Sequence, residues 1–280
     1  MKIKFTAISF LACTILQVEA ASLGLNFVGS DTANGALSAG MVAGIPGAQQ
    51  PSWNNISSPS IFSSDTFYRS NFTDTVGQSF TVEHVGSDAS TASLSLNTTD
   101  GLHDLNDRLM TGFWSGTGGY GGKINFRNIP ASYLSTGYKV IVYVDATGNS
   151  TQSISFDANM RGDFTSSIFY LQDTTTFNGT FLRATSTNPA APTIGANYVQ
   201  FDHLTASKFT LLMMPSSNSD SRYFNAVQVV QSIPELSSVA LCFAAVITIF
   251  SFRHLNRIRQ RARGGCRKTG KSAFASSQAQ

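Results

Sequence analysis

Two glycine-rich strings match phosphate-binding patterns letter for letter. Gly116-Thr117-Gly118-Gly119-Tyr120-Gly121 fits G-x-G-x-x-G, and Gly265-Cys266-Arg267-Lys268-Thr269-Gly270-Lys271-Ser272 fits the P-loop. Both patterns work by aiming backbone N–H groups and a helix N-terminus at phosphate, directly after a buried strand. The first string runs into Lys123-Ile124-Asn125-Phe126, which reads as a strand and not a helix. The second leaves only eight residues to the end of the chain and no acid in the tail to hold magnesium. The first is therefore read as a glycine turn and the second as a chance match, with no nucleotide partner.

Metal and acid–base chemistry find little more. Asp100, Asp104 and Asp107 surround His103 and could offer oxygens to calcium, but their spacing is not that of an EF-hand loop. His84, His103 and His203 show no H-x-x-x-H spacing, and no G-x-S-x-G elbow occurs. The three cysteines, Cys13, Cys242 and Cys266, all fall outside 21–232, so that stretch has neither a disulfide framework nor a thiolate metal site. No catalytic residue, metal ligand or cofactor is assigned. The best hint of binding is aromatic. Trp53, Tyr68, Trp114 and Tyr120 fall outside the clear strand runs. Flat faces at Trp53, Trp114 and Tyr120 could stack on sugar rings; burial of the two tryptophans in a core is the competing reading. Sequons at Asn55, Asn71, Asn97, Asn149 and Asn178 arise easily in a chain so rich in Asn, Ser and Thr.

The elements that must position these residues read as strands. Alternating apolar positions mark Leu23–Val28, Ser79–Val85, Thr91–Leu96, Gly122–Asn128, Tyr138–Asp145, Ser150–Ala158, Ser167–Gln172, Tyr198–Leu204, Lys208–Met214 and Ala226–Val230. No part of 21–232 keeps a 3.6-residue apolar period for four turns. About ten strands with one apolar face each need a partner layer, which predicts an all-β, antiparallel β-sandwich of jelly-roll type. Asp31–Ser70 reads as a long loop with one short helix around Thr32–Met41.

Charge divides the 280 residues. Between Ala21 and Leu236 nine basic residues stand against fifteen acidic ones, whereas eight basic residues and no acid follow Leu236. That balance excludes a basic nucleic-acid-binding body. Both ends read as addresses. Lys2 and Lys4, the apolar Phe5–Leu16 and the small-x-small Val18-Glu19-Ala20 form a signal peptide over 1–20. Residues 237–252, SSVALCFAAVITIFSF, form an apolar run of sixteen. As a helix it would span roughly 24 Å against about 30 Å of hydrocarbon, enough with some bilayer thinning. Arg253, Arg257, Arg259, Arg261 and Arg263 follow and would stay cytoplasmic, which places the body outside.

The string Ile233-Pro234-Glu235-Leu236-Ser237-Ser238, then an apolar run, then arginines, resembles the PEP-CTERM sorting signal of exported bacterial proteins. Pro234, Glu235 and Ser237 match its motif; Leu236 stands where the second proline is expected. The resemblance implies an exosortase-type membrane transpeptidase as partner and an association with exopolysaccharide or biofilm matrix. Leu25-Asn26-Phe27-Val28, Gly44-Ile45-Pro46, Pro51-Ser52-Trp53-Asn54-Asn55, Asp107-Arg108-Leu109-Met110, Tyr198-Val199-Gln200-Phe201 and Asn225-Ala226-Val227-Gln228-Val229-Val230 resemble a recurrent ectodomain of the same proteins.

The expected organisation is a signal peptide at 1–20, a sandwich ectodomain at 21–232, a sorting segment at 233–263 and a disordered basic tail at 264–280. The expected function is that of a non-enzymatic surface or matrix protein, exported through the inner membrane and held by one helix or released after processing. A carbohydrate-binding module on a membrane anchor is the alternative, and a glycan hydrolase ranks below it.

Overall fold

The computed structural model of the chain describes residues 20–28, 35–57, 68–84, 93–96, 105–116, 122–145, 150–160, 167–215 and 222–233. The chain divides into two units, Met1–Ile233 and Pro234–Gln280, and all described residues belong to the first. Residues 1–19, the motif residues Pro234, Glu235 and Ser237, the apolar run 237–252 and the arginines that follow lie outside the described residues. Among the described residues no helix is long and apolar enough to cross a membrane.

The described elements are β1 (Ser22–Phe27), β2 (Asn54–Ile56), β3 (Tyr68–Thr73), β4 (Ser79–His84), β5 (Ser93–Leu96), α1 (Leu105–Thr111), β6 (Gly112–Gly116), β7 (Gly122–Arg127), α2 (Ala131–Thr136), β8 (Tyr138–Tyr143), β9 (Ser150–Asp157), β10 (Ile168–Asp173), β11 (Thr193–Ile194), β12 (Tyr198–Leu204), β13 (Phe209–Pro215), β14 (Arg222–Phe224) and β15 (Ala226–Gln231). Each alternating run named above becomes one of these strands. Within the expected helix Thr32–Met41, residues 36–41 run as loop and turn instead.

A five-stranded sheet has the order β12-β8-β15-β1-β2, and a seven-stranded sheet the order β11-β10-β9-β13-β7-β4-β3; β14-β6-β5 form a small third sheet. Pairing is antiparallel except at two short edge strands. β2 lies parallel to β1 and β11 parallel to β10, because each arrives after a long connection and not through a hairpin. The architecture is therefore a mixed sandwich and not a purely antiparallel one.

The two larger sheets close on one core. Leu23, Leu25, Val140, Val142, Val227 and Val229 come from the first; Phe80, Ile124, Phe126, Ile154, Phe156 and Leu211 from the second. Rings interlock across the layers, with Tyr138 6.0 Å from Phe209 and Phe156 5.7 Å from Phe201.

The five-stranded sheet is covered on its other face as well. Alternation in β1 leaves Ser22, Gly24 and Asn26 pointing away from the core, yet every residue of the strand is buried. The cover is the segment 35–53 with α1 and Phe177. Leu37, Ala43, Ile45, Ala48, Trp53, Leu109 and Met110 pack there on Ile141, Tyr143, Ala226 and Val230 of the sheet.

Candidate functional site

Among the described residues polar groups collect in several places, and three of these differ in what they can do. The first lies beneath the 35–53 cover. Tyr143, on β8, accepts a hydrogen bond from the Ile45 amide at 3.1 Å and donates one to Gln228 Oε1 on β15 at 2.9 Å. Gln228 Nε2 in turn donates to the Ala48 carbonyl at 2.5 Å and to Gln50 Oε1 at 2.9 Å. The Gln50 carbonyl receives the Trp53 indole N–H at 3.0 Å.

Around this centre, Asn26 Nδ2 donates to Asn55 Oδ1 and to the Gly35 carbonyl, while Asn55 also brackets Leu37 through both its amide and its oxygen. Asn225 Nδ2 donates to the Met110 carbonyl, and Asn225 Oδ1 receives the Asp145 amide. Most of the scattered strings that resemble a recurrent ectodomain meet here: Asn26, Gly44-Ile45, Trp53, Asn55, Met110, Asn225 and Gln228. They form a buried clamp that fastens a long segment to a sheet. Most of its groups are satisfied by one another, Asn26 Oδ1 and Gln50 Nε2 being buried without a partner, so the clamp serves chiefly the fold.

This location corrects the expected stacking role of the tryptophans. Trp53 is buried and meets Tyr143 edge-on at 6.1 Å. Trp114 is buried on β6, its ring stacked on Phe224 at 5.6 Å. Both rings lie against glycines. A Cβ on Gly24 would collide with Gln50 and the Trp53 ring, and one on Gly122 with the Trp114 ring. Neither face is available to a sugar. Tyr120 lies outside the described residues, as do Asp100, His103 and Asp104; Asp107 is buried on α1. His203 is exposed at a bulge of β12, and the described residues contain no group of three possible metal ligands.

The second place is a cleft of about 310 Å³ beside the ends of the body. Ala20, Val42, Gln50, Thr75, Val230 and Ile233 are among its walls. Among the described residues that line it none titrates, so they supply no acid or base with which to move a proton.

The third place is the outward face of β3, β4 and β7. Since Phe80, Val82, Ile124 and Phe126 point into the core, strand alternation turns Arg69, Asn71, Thr73, Ser79, Thr81, Glu83, Lys123, Asn125 and Arg127 outward. Glu83 sits at the centre. Arg69 Nε donates to its Oε1 at 2.7 Å, and Arg127 Nε to its Oε2 at 2.5 Å. Its side chain is only 3% exposed, against 65% for Arg69 and 39% for Arg127. Burial pushes the Glu83 carboxyl up, but the two guanidiniums outweigh burial and hold it below the ordinary carboxylate range. A second row runs beside it. Asn128 Nδ2 donates to Thr81 Oγ1, which donates to Asn71 Oδ1, both at 3.0 Å.

Towards the middle of the same sheet Thr210, Leu212, Ser155 and Asp157 are buried, while Asn71, Thr73, Ser79 and Asn128 near the β3 edge are exposed. The accessible part of the face is therefore this polar, cation-rich end. The composition of the sequence hid it. The body is acidic on average, and only the strand register brings Arg69 of β3 to the face that carries Lys123 and Arg127 of β7.

No protein-family model matches the chain, and no curated protein matches it. Among solved structures, it is similar to the CBM22-1–GH10 modules of a Clostridium thermocellum endo-1,4-beta-D-xylanase complexed with xylohexaose. The identity there is 13% and the TM-score 0.28, over 55% of this chain and 27% of that one. It is also similar to a CBM22-1 xylan-binding domain from Paenibacillus barcinonensis, at 10% identity and a TM-score of 0.27, over 54% of this chain and 86% of that one. Overlaps this shallow carry no functional weight, and the assignment of a sandwich rests on the strands themselves.

Proposed function

We propose that the chain is an exported surface or matrix protein without enzymatic activity. A signal peptide directs it through the inner membrane. Its PEP-CTERM-like segment, Pro234, Glu235 and Ser237 followed by the apolar run and arginines, holds it in the membrane for an exosortase-type transpeptidase. The sandwich body then acts outside, among exopolysaccharide. We read that sandwich as jelly-roll in type, because the chain passes repeatedly between the two sheets: β7 to β8, β8 to β9, β11 to β12, β12 to β13.

One observation carries the reading. The folded body begins and ends where the two address segments adjoin it. Ser22 pairs with Val230, and the Gln231 amide donates to the Ala21 carbonyl at 2.9 Å. Its first and last strands are thus neighbours, and either address can be removed without cutting the sheet. Cell fractionation tests this reading. Full-length or signal-cleaved chain is expected in the membrane or released fraction, and recovery of the uncleaved chain in the soluble cytoplasm would overturn it.

The outward face of β3, β4 and β7 favours a second reading, a carbohydrate-binding module on an anchor. Its five neutral positions are all hydroxyl or amide side chains, which suit sugar hydroxyls. A glycan array probed with the purified chain tests it: binding that Asn71→Ala weakens supports the module, and no glycan retained counts against it.

A further inference from the structure

We infer that the outward face of β3, β4 and β7 recognises an anionic glycan, one bearing uronate carboxylates or sulfate esters. The inference rests on the carbohydrate-binding reading and names the ligand class for that same face. The nine outward positions hold three cations, one carboxylate, five hydroxyl or amide groups and no apolar side chain. The single carboxylate is already shared between two arginines. The face is left net positive on a body that is net acidic.

The arrangement also preorganises. Glu83 is buried at the base and fixes both guanidiniums through their Nε atoms, while the arginines reach outward into solvent. Arg127 uses only its Nε on Glu83, which leaves its terminal nitrogens for another acceptor. A fixed guanidinium loses less entropy when it pairs with an incoming anion, and its planar fork matches a carboxylate or sulfate. Lys123 lies on the same face of β7, two alternations from Arg127, and makes no ion pair among the described residues. The flanking Asn71, Thr73, Ser79 and Asn128 supply the neutral hydrogen bonds that sugar hydroxyls require. A small cationic set within an acidic body suits spaced charges along a sugar chain better than the dense phosphates of nucleic acid.

The test uses the full chain in mild detergent, with retention measured on polygalacturonate, dextran sulfate, neutral xylan and double-stranded DNA. Retention is expected on polygalacturonate or dextran sulfate, whichever carries the matching anion, and it should weaken as salt rises. Lys123→Gln and Arg127→Gln should each reduce it about tenfold, the scale of one lost charge-assisted hydrogen bond. Lys139→Gln, on the other sheet, should leave it unchanged. Lys123→Gln breaks no ion pair of the described fold, so its loss cannot be ascribed to unfolding. Retention on xylan alone would overturn the anionic inference and leave the carbohydrate-binding reading standing. Retention on no glycan would overturn both. Equal or stronger retention on DNA, or equal loss with Lys139→Gln, would also sink the anionic-glycan assignment.

Discussion

Tyr143 is buried up to its hydroxyl, and that hydroxyl joins the sheet to its cover by accepting from Ile45 and donating to Gln228. Burial raises its pKa well beyond the ordinary tyrosine value, only partly offset by the Ile45 amide, so the group stays neutral and keeps its donor. Tyr143→Phe would orphan a buried amide and a buried amide oxygen. The expected cost is about 1–3 kcal/mol, read as a lowered midpoint in thermal or urea unfolding. An unchanged midpoint would show that the clamp contributes nothing. Trp53 allows a sharper contrast. As a stacking platform, its truncation would abolish glycan binding and spare stability. As found, packed on Gly24 and Tyr143, Trp53→Ala should cost about 3–5 kcal/mol. Any glycan retention by the fraction still folded should match the parent protein. The sequence offered both fates for Trp53. Spacing alone could not choose, because the ring is buried by Gly24 and Tyr143, residues far from it along the chain.

At the scale of elements, the alternating strands were legible because a period of two survives wherever one face meets the core. β8, with Val140 and Val142 inward, and β13, with Phe209, Leu211 and Met213 inward, are clear cases. What escaped was short or differently coded. β2 is three residues long and led by two asparagines, β14 begins with Arg222, and β6 is bounded by Gly112 and Gly116. The cover of 35–53 escaped for another reason. Leu37, Ala43, Ile45, Ala48 and Trp53 follow neither period, since an irregular segment buries side chains wherever its path touches the sheet.

The β3–β4 hairpin makes two testable claims. Asp74 closes its turn, accepting from the amides of Val76 and Gln78, and also receives the buried Tyr133 hydroxyl from α2 at 2.9 Å. Asp74→Ala should therefore loosen hairpin and helix together, for about 1–3 kcal/mol, visible as faster hydrogen exchange in both. Exchange confined to the turn would contradict that coupling. The second claim concerns pH. The Glu83 carboxyl is held below its ordinary value of 4.5 in the folded state. Its stabilisation is thus complete above that value and disappears as pH falls through the lower folded one. The stability gap between the parent protein and Glu83→Gln should be constant near neutrality and close under acid, and a gap that widens on acidification would contradict the assignment.

At the scale of the whole molecule, the pairing of β1 with β15 decides what can be removed. The Ser22–Asn26 run of β1 is registered against Val230–Ala226, with β8 on the far side of β15, so β15 lies inside the sheet and its loss would expose two neighbours. Every described strand of these ladders lies between Ser22 and Gln231. A body of residues 21–233, expressed without either end, should therefore unfold cooperatively and with the midpoint that the body shows in the full chain. A body ending at Ala226 should not fold, because Val227, Val229 and Val230 leave the two cores with it. If the 21–233 body failed to fold while the full chain did, the stability of the sandwich would depend on the C-terminal unit. The picture of a self-contained exterior domain with a detachable anchor would then have to be abandoned.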